Sequence, residues 1–279
     1  MNPDELGARH KAALPEWIAL YYERPMELTH GEGFKVWDSE GNEYLDFFGG
    51  IVTTISGHAV PEIVEVVREQ AGKIFHSSTL YLIENQVKLA EKLIELAPMS
   101  GDKKVFFTVS GTEANEAALL FSTIYRGSSE VIALRSSYHG RSFAAMAVTG
   151  QSAWKPTARS PLEVRYVANP YQLRCAFCRN EGRCNLQCAD DLRAVIETET
   201  TGHVAAFIAE PIQGVGGFIE APPGYFERVK SILDETGILL ISDEVQTGFG
   251  RTGEHFWGID AFDVEPDMIV MAKGLGNGL

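Results

Sequence analysis

The amino-acid sequence predicts an α/β fold in which a mostly parallel β-sheet is covered by helices on both faces. The first observation is that short apolar runs alternate with stretches of helical periodicity. The second is that these runs are almost continuously apolar, as expected of strands buried on both faces. The predicted strands are KVFFTV, EVIALR, VRYVAN, VAAFIAE, GILLISDE and DMIVMAK.

A hairpin and two helices precede most of this alternation. The segment GFKVWDSEGNEYLDFF has two aromatic-rich runs around a DSEGN turn, which is typical of a β-hairpin. Helices are predicted at PEIVEVVREQAG and at ENQVKLAEKLIELAP. We therefore assign residues 1–50 to an N-terminal segment and hairpin that form part of a small domain, and residues 51–279 to a large domain.

The clearest helix of the large domain is predicted at TEANEAALLFSTIYRG. Its apolar residues recur with helical spacing, so they define one stripe along the helix. We expect this stripe to be the buried face. It consists of Ala114, Ala117, Ala118, Phe121, Ile124 and Tyr125.

The charge and hydropathy of the chain exclude several classes of partner. The formal net charge is -14, and no block of Lys or Arg interrupts it. Nucleic acid and anionic membrane surfaces are therefore not expected partners. The N-terminus lacks the apolar core of a signal peptide, and no apolar run has the length of a membrane span. These features predict a cytoplasmic protein.

Polar residues follow the predicted strands at the points where ligands bind in parallel sheets, beyond the carboxyl ends of the strands. Because these ends share one edge of the sheet, we expect the residues to form one site. They are Ser110-Gly111-Thr112, Tyr138-His139-Gly140, Glu210, Asp243 and Lys273.

Three of these positions have specific chemistry, each with a structural alternative. Ser110-Gly111-Thr112 at a helix start can bind a phosphate, or can simply cap the helix. Lys273 can be a desolvated amine used covalently, or a lysine whose ammonium group reaches solvent. Asp243 can pair with a cation such as a protonated pyridine nitrogen, or can cap a helix or form a salt bridge.

Five motifs, in this order, resemble the class III aminotransferases: SGTEANEAA, YHGRSFAAMAVTG, AEPIQGVGG, SDEVQTGFGRTG and MAKGLGNG. The resemblance extends from about Phe34 to the last residue. Within the class, FGGIVTTISGH and DEVQTGFGRTGEHFWG are most similar to the alanine–glyoxylate and 4-aminobutyrate branch. The resemblance implies a fold-type I large domain that binds pyridoxal 5′-phosphate, a homodimer, and the N-terminal part of a small domain.

The resemblance also implies roles for individual residues. Lys273 would carry the cofactor and Asp243 would hold its pyridine nitrogen, so these two are the predicted catalytic residues. The other predicted cofactor contacts are Ser110, Gly111 and Thr112 at the phosphate, Tyr138 on the ring face, Gln246 at the ring 3-oxygen, and His139 and Glu210 nearby.

Two positions are predicted to bind substrate. Arg141 matches an arginine that holds a substrate carboxylate in several members of the class, although a surface ion pair is the alternative. Glu210 matches a glutamate that pairs with a later arginine in some members. His139 is expected to be structural rather than a base, because Lys273 already moves the proton.

The four cysteines lie in one polar insertion, about residues 171–189, with the spacing Cys175-x2-Cys178-x5-Cys184-x3-Cys188. Four thiolates in a compact loop suit tetrahedral Zn²⁺. An iron–sulfur cluster is a second possibility. Reduced thiols or two local disulfides are the non-metal alternative.

The predicted activity is transfer of an amino group from an amino acid, either an ω-amino acid or alanine, to a 2-oxo acid. The alternatives are an aminomutase or racemase on the same scaffold, or an inactive fragment with a metal-binding loop. The chain stops six residues after Lys273, and the enzymes it resembles continue further. We therefore expect a C-terminally truncated chain that lacks one antiparallel strand of the large-domain sheet and has essentially no activity.

Overall fold

The computed structural model describes residues 3–16, 18, 20, 22–157, 160–178 and 184–279. The chain divides into two compact units, of which the first comprises Met1–Leu82 with Asn277–Leu279 and the second Ile83–Gly276. The domain boundary that the sequence predicts near residue 50 stays a prediction.

The first unit contains the predicted hairpin within a three-stranded antiparallel sheet of order β1-β2-β3. Asp38 closes the hairpin turn, since its carboxylate accepts hydrogen bonds from the side chains of Asn42 and Tyr44. These bonds, led by that of Asn42, lower the pKa of Asp38 to about 2. The elements are α1 (Pro3–Ala13), β1 (Leu28–Glu32), β2 (Lys35–Asp38), β3 (Glu43–Leu45), the short helical turn α2 (Gly49–Val52) and α3 (Pro61–Ala71).

The second unit is built on a five-stranded sheet of order β10-β9-β6-β4-β5, in which every neighbouring pair is parallel. A separate two-stranded antiparallel ribbon is formed by β7 and β8. The elements are α4 (Glu84–Leu96), α5 (Gly111–Arg126), β4 (Glu130–Leu134), α6 (Phe143–Val148), β5 (Glu163–Val167), α7 (Gln187–Glu199), β6 (Ala206–Ala209), β7 (Ile212–Gln213), β8 (Ile219–Glu220), α8 (Tyr225–Thr236), β9 (Leu239–Asp243) and β10 (Met268–Val270).

Helices cover both faces of this sheet, as the apolar strands predicted. On one face, residues of α7 and α8 such as Leu192 and Phe226 share a buried cluster with Phe207 of β6. On the other, residues of α5 and α6 such as Leu119 and Val148 pack against Ile208 of the same strand. Successive residues of β6 thus enter opposite cores, and the α/β prediction is confirmed. Among the described residues, no helix is both long and apolar enough to cross a membrane.

The first predicted strand, KVFFTV, is wrong. Residues 102–108 have no regular secondary structure. They line a cavity of 460 Å³ together with β10, which is an edge strand of the sheet, and with α5. A strand requires a hydrogen-bonded neighbour. No strand pairing to this segment occurs within the described part of the chain, so its apolar residues alone do not make it a strand.

The buried face of α5 also differs from the predicted apolar stripe. Ile124 and Tyr125 are 70% and 78% exposed, whereas Asn115 and Ser122 are fully buried. Ala118 belongs to both the predicted and the observed face. The helix is therefore rotated so that a polar side chain, Asn115, enters the interior. In this orientation Asn115 donates hydrogen bonds to Asp243 and to the backbone of His139, which lie at the ends of the strands.

Candidate active site

The carboxyl ends of adjacent strands bring most of the predicted polar residues to one region of the second unit. Asp243 is the last residue of β9, Glu210 directly follows β6, and His139 lies in the loop after β4. Lys273 follows β10 in a short 3-10 helix. The charges of Asp243 and Glu210 both act on Lys273, so the three ionisable groups lie within electrostatic range of each other.

Asp243 is buried and held by three donors. Its Oδ2 lies 2.7 Å from His139 Nδ1 and accepts a hydrogen bond of 2.8 Å from Asn115 Nδ2. Its Oδ1 accepts the amide N–H of Val245 at 3.1 Å. This arrangement fixes the position of the carboxylate. A buried carboxylate held in this way is suited to a cationic ligand group.

His139 and Asn115 also brace each other. Asn115 Nδ2 donates to the carbonyl oxygen of His139 at 2.8 Å, and Thr149 Oγ1 accepts the His139 amide at 3.0 Å. His139 is only 2% exposed, and its Nε2 has no hydrogen-bond partner among the described residues. These contacts join His139 to Asp243, Asn115 and Thr149, and the structural role expected for it stays a prediction.

Glu210 is a buried carboxyl group beside two backbone donors. The amides of Tyr138 and Gly214 donate to its two carboxyl oxygens at 2.9 Å and 3.0 Å. Burial raises the pKa of Glu210 to about 7, against the lowering effect of His139 and with a further raising effect of Asp243. Glu210 therefore changes its charge near neutral pH.

Lys273 combines partial burial with unusual backbone geometry. Burial lowers the pKa of its amine, while the charges of Asp243 and Glu210 oppose this change. The residue has a φ of +44°, a left-handed conformation that is rare for a side chain with a Cβ atom. Such strain is found at functional sites, where the surrounding structure imposes it.

The N-terminus of α5 lies where the sequence analysis predicts an anion site. Ser110 is the N-cap and accepts the Glu113 amide through its Oγ at 3.3 Å. The amides of Gly111 and Thr112 then have no partner within the helix, and they lie at the positive end of its dipole. Thr112 Oγ1 accepts the amides of Arg141 and Ser142, at 3.1 Å and 3.0 Å. The loop after β4 is thereby fixed to this helix end.

Two glycines near this site allow neighbouring side chains to pack closely against the backbone. A Cβ atom on Gly140, which has a φ of +131°, would collide with the side chain of Thr112. A Cβ atom on Gly214 would collide with the carboxamide of Gln246. Gln246, predicted to contact the cofactor ring, is thus packed against the backbone that follows β7.

Arg141 and Tyr138 share an aromatic neighbour that sequence reasoning did not identify. The guanidinium carbon of Arg141 lies 4.8 Å from the ring centroid of Trp154. The ring of Tyr138 contacts the same indole edge to face, with centroids 5.7 Å apart. Arg141 itself is exposed. Trp154 therefore restrains both residues at the rim of the site.

Asn115 is the other residue that the sequence analysis missed. It lies four residues after Gly111 in the same helix, so both residues are on one helical face. A polar residue on the face that begins at a predicted phosphate site could have been recognised as pointing toward that site. The adjacent acid, Glu244, is structural: it is buried and accepts the amides of Gly258 and Ile259, each at 2.8 Å.

The cysteine insertion is described except for residues 179–183. Cys175, Cys178 and Cys188 are buried, Cys184 is exposed, and none forms a disulfide. In the part of the chain that is described, no group of three or more His, Cys, Asp or Glu side chains is arranged to hold a metal ion. The coordination geometry therefore gives no support to the predicted zinc or iron–sulfur site.

Comparison with known proteins identifies the family. Residues 20–279 match the family described as aminotransferase class-III. The chain is 41% identical to the mitochondrial alanine–glyoxylate aminotransferase 2 homolog 2 of Arabidopsis thaliana, over 99% of this chain and 57% of that protein. It is 36% identical to a leucine/methionine racemase of Thermococcus litoralis, over 100% of this chain and 63% of that protein.

A solved structure agrees with these relatives and with the predicted fold. The chain superimposes on an (S)-enantioselective ω-transaminase from Thermomicrobium roseum with a TM-score of 0.89 and 35% identity, covering 100% of this chain and 64% of that one. The chain thus spans less than two thirds of the length of these proteins. On the family match, the sequence identities and the shared fold, this chain belongs to the class III aminotransferases.

Proposed function

We propose that this protein is a pyridoxal-phosphate-dependent transaminase, which moves an amino group from an amino acid to a 2-oxo acid. Class III aminotransferases use this cofactor. The observation that carries the proposal is the partly buried amine of Lys273, which lies in electrostatic range of Asp243 and Glu210 at the ends of adjacent strands. The family match alone supports an aminotransferase of unspecified substrate.

The described residues suit each part of this cofactor. The amides at the start of α5 suit its phosphate, because they combine free donors with the positive end of the helix dipole. The braced carboxylate of Asp243 suits a protonated pyridine nitrogen. Lys273 supplies the amine that binds the cofactor covalently. Tyr138 and Gln246 are assigned to the ring face and to the ring 3-oxygen.

The protein residues then have distinct tasks. Pyridoxal phosphate, when bound, supplies an electron sink for the bond broken at the amino acid Cα. Lys273 Nζ accepts the proton from that Cα, and its lowered pKa favours the neutral amine that this step needs. Asp243 Oδ2 is kept in position by His139 and Asn115. Arg141 binds the substrate carboxylate at the rim of the site.

Glu210 adds a charge that depends on pH within the same site. In its anionic form it favours the protonated amine of Lys273 and also attracts a cationic substrate group. In its neutral form it removes both effects. We therefore assign Glu210 to substrate binding through its charge. It also accepts a hydrogen bond from the backbone amide of Tyr138.

The first test is covalent labelling. The protein is incubated with pyridoxal phosphate, reduced with borohydride, digested and analysed by mass spectrometry. We expect the cofactor on the peptide that contains Lys273 and loss of labelling in Lys273→Ala. Lys155→Ala is the matched control, because burial also lowers the pKa of Lys155. Specific labelling of a lysine other than Lys273 would remove the basis of the proposal.

The second test concerns the reaction. The Arabidopsis relative makes alanine and glyoxylate the first donor and acceptor to try. Formation of pyruvate and glycine supports transamination. Racemisation is the second candidate because of the Thermococcus relative. A D-amino acid formed from its L-enantiomer, without any 2-oxo acid, would favour it. Protein that binds no cofactor under any condition would favour an inactive fragment.

The homodimer and the cytoplasmic location stay predictions.

A further inference from the structure

The guanidinium group of Arg141 is a cation without an anionic partner in the described part of the chain. Among the described residues it forms neither a salt bridge nor a hydrogen bond, although its backbone amide donates to Thr112. By contrast, Arg193 of α7 and Arg228 of α8 each form an ion pair with a carboxylate, at 2.6 Å and 2.7 Å. Fixing an exposed arginine side chain costs conformational entropy. The position of Arg141 therefore depends on the neighbour that it does have.

That neighbour is the indole ring of Trp154. The guanidinium carbon lies over the ring, 4.8 Å from its centroid, within the distance at which cation–π attraction acts. A guanidinium group that lies over an aromatic ring keeps the N–H donors at its edge free. These donors fit the two oxygens of a carboxylate. Trp154 thus holds Arg141 without using the donors that a substrate carboxylate needs.

The segment that carries Trp154 is tied to the loop after β4 through the buried residue Ser137. Ser137 Oγ accepts the amide of Gly150 at 3.1 Å, and its carbonyl oxygen accepts the amide of Gln151 at 3.1 Å. A Cβ atom on Gly150 would lie only 2.4 Å from the carbonyl oxygen of Leu134, so the two backbones pack closely. The segment that bears the indole and the loop that bears the guanidinium group therefore keep a fixed relative position.

Lys155 and Tyr166 anchor the chain on the other side of Trp154. The Lys155 amine donates hydrogen bonds to the Tyr166 hydroxyl and to the carbonyl oxygen of Ala147, the latter at 3.1 Å. The Tyr166 hydroxyl donates to the same carbonyl oxygen. Burial raises the pKa of Tyr166 to about 12, so this hydroxyl keeps its proton at neutral pH. Because Ala147 lies in α6 and Tyr166 in β5, these bonds attach the indole segment to two regular elements.

Tyr138 is the second neighbour of Trp154 at the site. The two rings meet edge to face, with centroids 5.7 Å apart, which is a favourable arrangement for an aromatic pair. Trp154 therefore contacts both the residue assigned to the cofactor ring face and the residue assigned to the substrate carboxylate. One side chain thus contributes to the relative position of these two groups.

We propose that Trp154 is a positioning residue that holds Arg141 ready for the substrate carboxylate, and that it thereby makes the site select amino acids over amines without a carboxylate. The inference rests on the proposed function, in which Arg141 binds that carboxylate. Because the guanidinium group is already ordered over the indole, carboxylate binding does not have to fix a mobile side chain. An amine without a carboxylate gains nothing from this order.

The first test measures the reactivity of Arg141 and needs no bound cofactor. Phenylglyoxal modifies guanidinium groups, and mass spectrometry of the digested protein gives the rate at Arg141. Trp154→Ala should raise this rate about threefold or more, because the cation–π neighbour is lost. Trp154→Phe keeps an aromatic face, so its rate should stay within about twofold of that of the unmodified protein. Arg193 and Arg228 are internal controls and should react equally in all three proteins.

Propanoate tests carboxylate binding in the same assay, because it is alanine without the amino group. It should protect Arg141 from phenylglyoxal, whereas its uncharged analogue propanamide should not. In Trp154→Ala, the propanoate concentration for half-protection should increase about tenfold, and Trp154→Phe should restore most of the protection. Absence of protection in the unmodified protein would overturn the inference. The same half-protecting concentration in Trp154→Ala would also overturn it.

Protein loaded with pyridoxal phosphate provides the substrate comparison. The absorbance change of the cofactor is titrated with L-alanine and with isopropylamine, which has no carboxylate. In Trp154→Ala the half-saturating concentration should increase about tenfold for L-alanine and less than about twofold for isopropylamine. Equal increases for both donors would mean that Trp154 is only structural. Failure of the proposed function is distinct, since borohydride would then not fix the cofactor to Lys273, while the propanoate assay would still decide the role of Trp154.

Discussion

The buried charge of Glu210 leads to a quantitative prediction about stability. The structure raises its pKa from 4.5 to about 7, so the folded protein binds this proton more tightly than the unfolded chain does. Because ionised Glu210 is disfavoured in the folded state, the free energy of unfolding decreases as the pH rises from 4.5 to about 7. The shift corresponds to about 3 kcal/mol of lost unfolding free energy above pH 7. Below the unfolded pKa the cost is absent.

The variant Glu210→Gln removes this titration without changing the side-chain length. Its amide group cannot accept both backbone N–H donors, of Tyr138 and Gly214, so a constant loss of about 1–3 kcal/mol is expected at every pH. The informative quantity is therefore the change with pH. Relative to the unmodified protein, the variant should gain roughly 2 kcal/mol between about pH 5.5 and pH 8.

The assay is urea unfolding without cofactor, followed by circular dichroism at several pH values. Glu227→Gln, at an exposed position of α8, is the matched control and should leave the pH profile unchanged. Parallel pH profiles for Glu210→Gln and the unmodified protein would refute the reasoning. They would mean that Glu210 is solvated, or that its charge is compensated, in the folded state.

Three further variants test contacts of the site. Asn115→Ala removes a donor from Asp243 and should weaken pyridoxal phosphate binding about tenfold by absorbance titration, with no loss if the contact is incidental. Asp243→Asn should lower the transamination rate by about 10²-fold or more, and a near-normal rate would contradict its catalytic role. Glu244→Ala leaves the amides of Gly258 and Ile259 without their acceptor and should lower the unfolding free energy by about 3–5 kcal/mol in urea; a change below about 1 kcal/mol would contradict this.

The order of the elements and the location of the site could be predicted from the sequence. Apolar runs such as EVIALR and GILLISDE became β4 and β9 because their residues suit strands buried on both faces. The ends of parallel strands share one edge, so Glu210, Asp243 and Lys273 were correctly expected to lie near each other. These conclusions depend on local periodicity and on a general rule of sheet topology.

Contacts between distant segments were decided only by the tertiary structure. The segment KVFFTV has the composition of a strand but no strand partner among the described residues, and partners are not encoded in local composition. The apolar stripe of α5 indicated one buried face, but the helix instead buries Asn115, because Asp243 and the backbone of His139 accept its hydrogen bonds.

The same distinction applies to the chemistry of the site. The types of the ionisable residues were visible in the sequence, but their charge states were not. The raised pKa of Glu210 and the lowered pKa of Lys273 follow from burial and from neighbouring charges, and these depend on residues far apart in the chain. A sequence specifies which groups can ionise, whereas their solvation and their distances to other charges exist only in the folded protein.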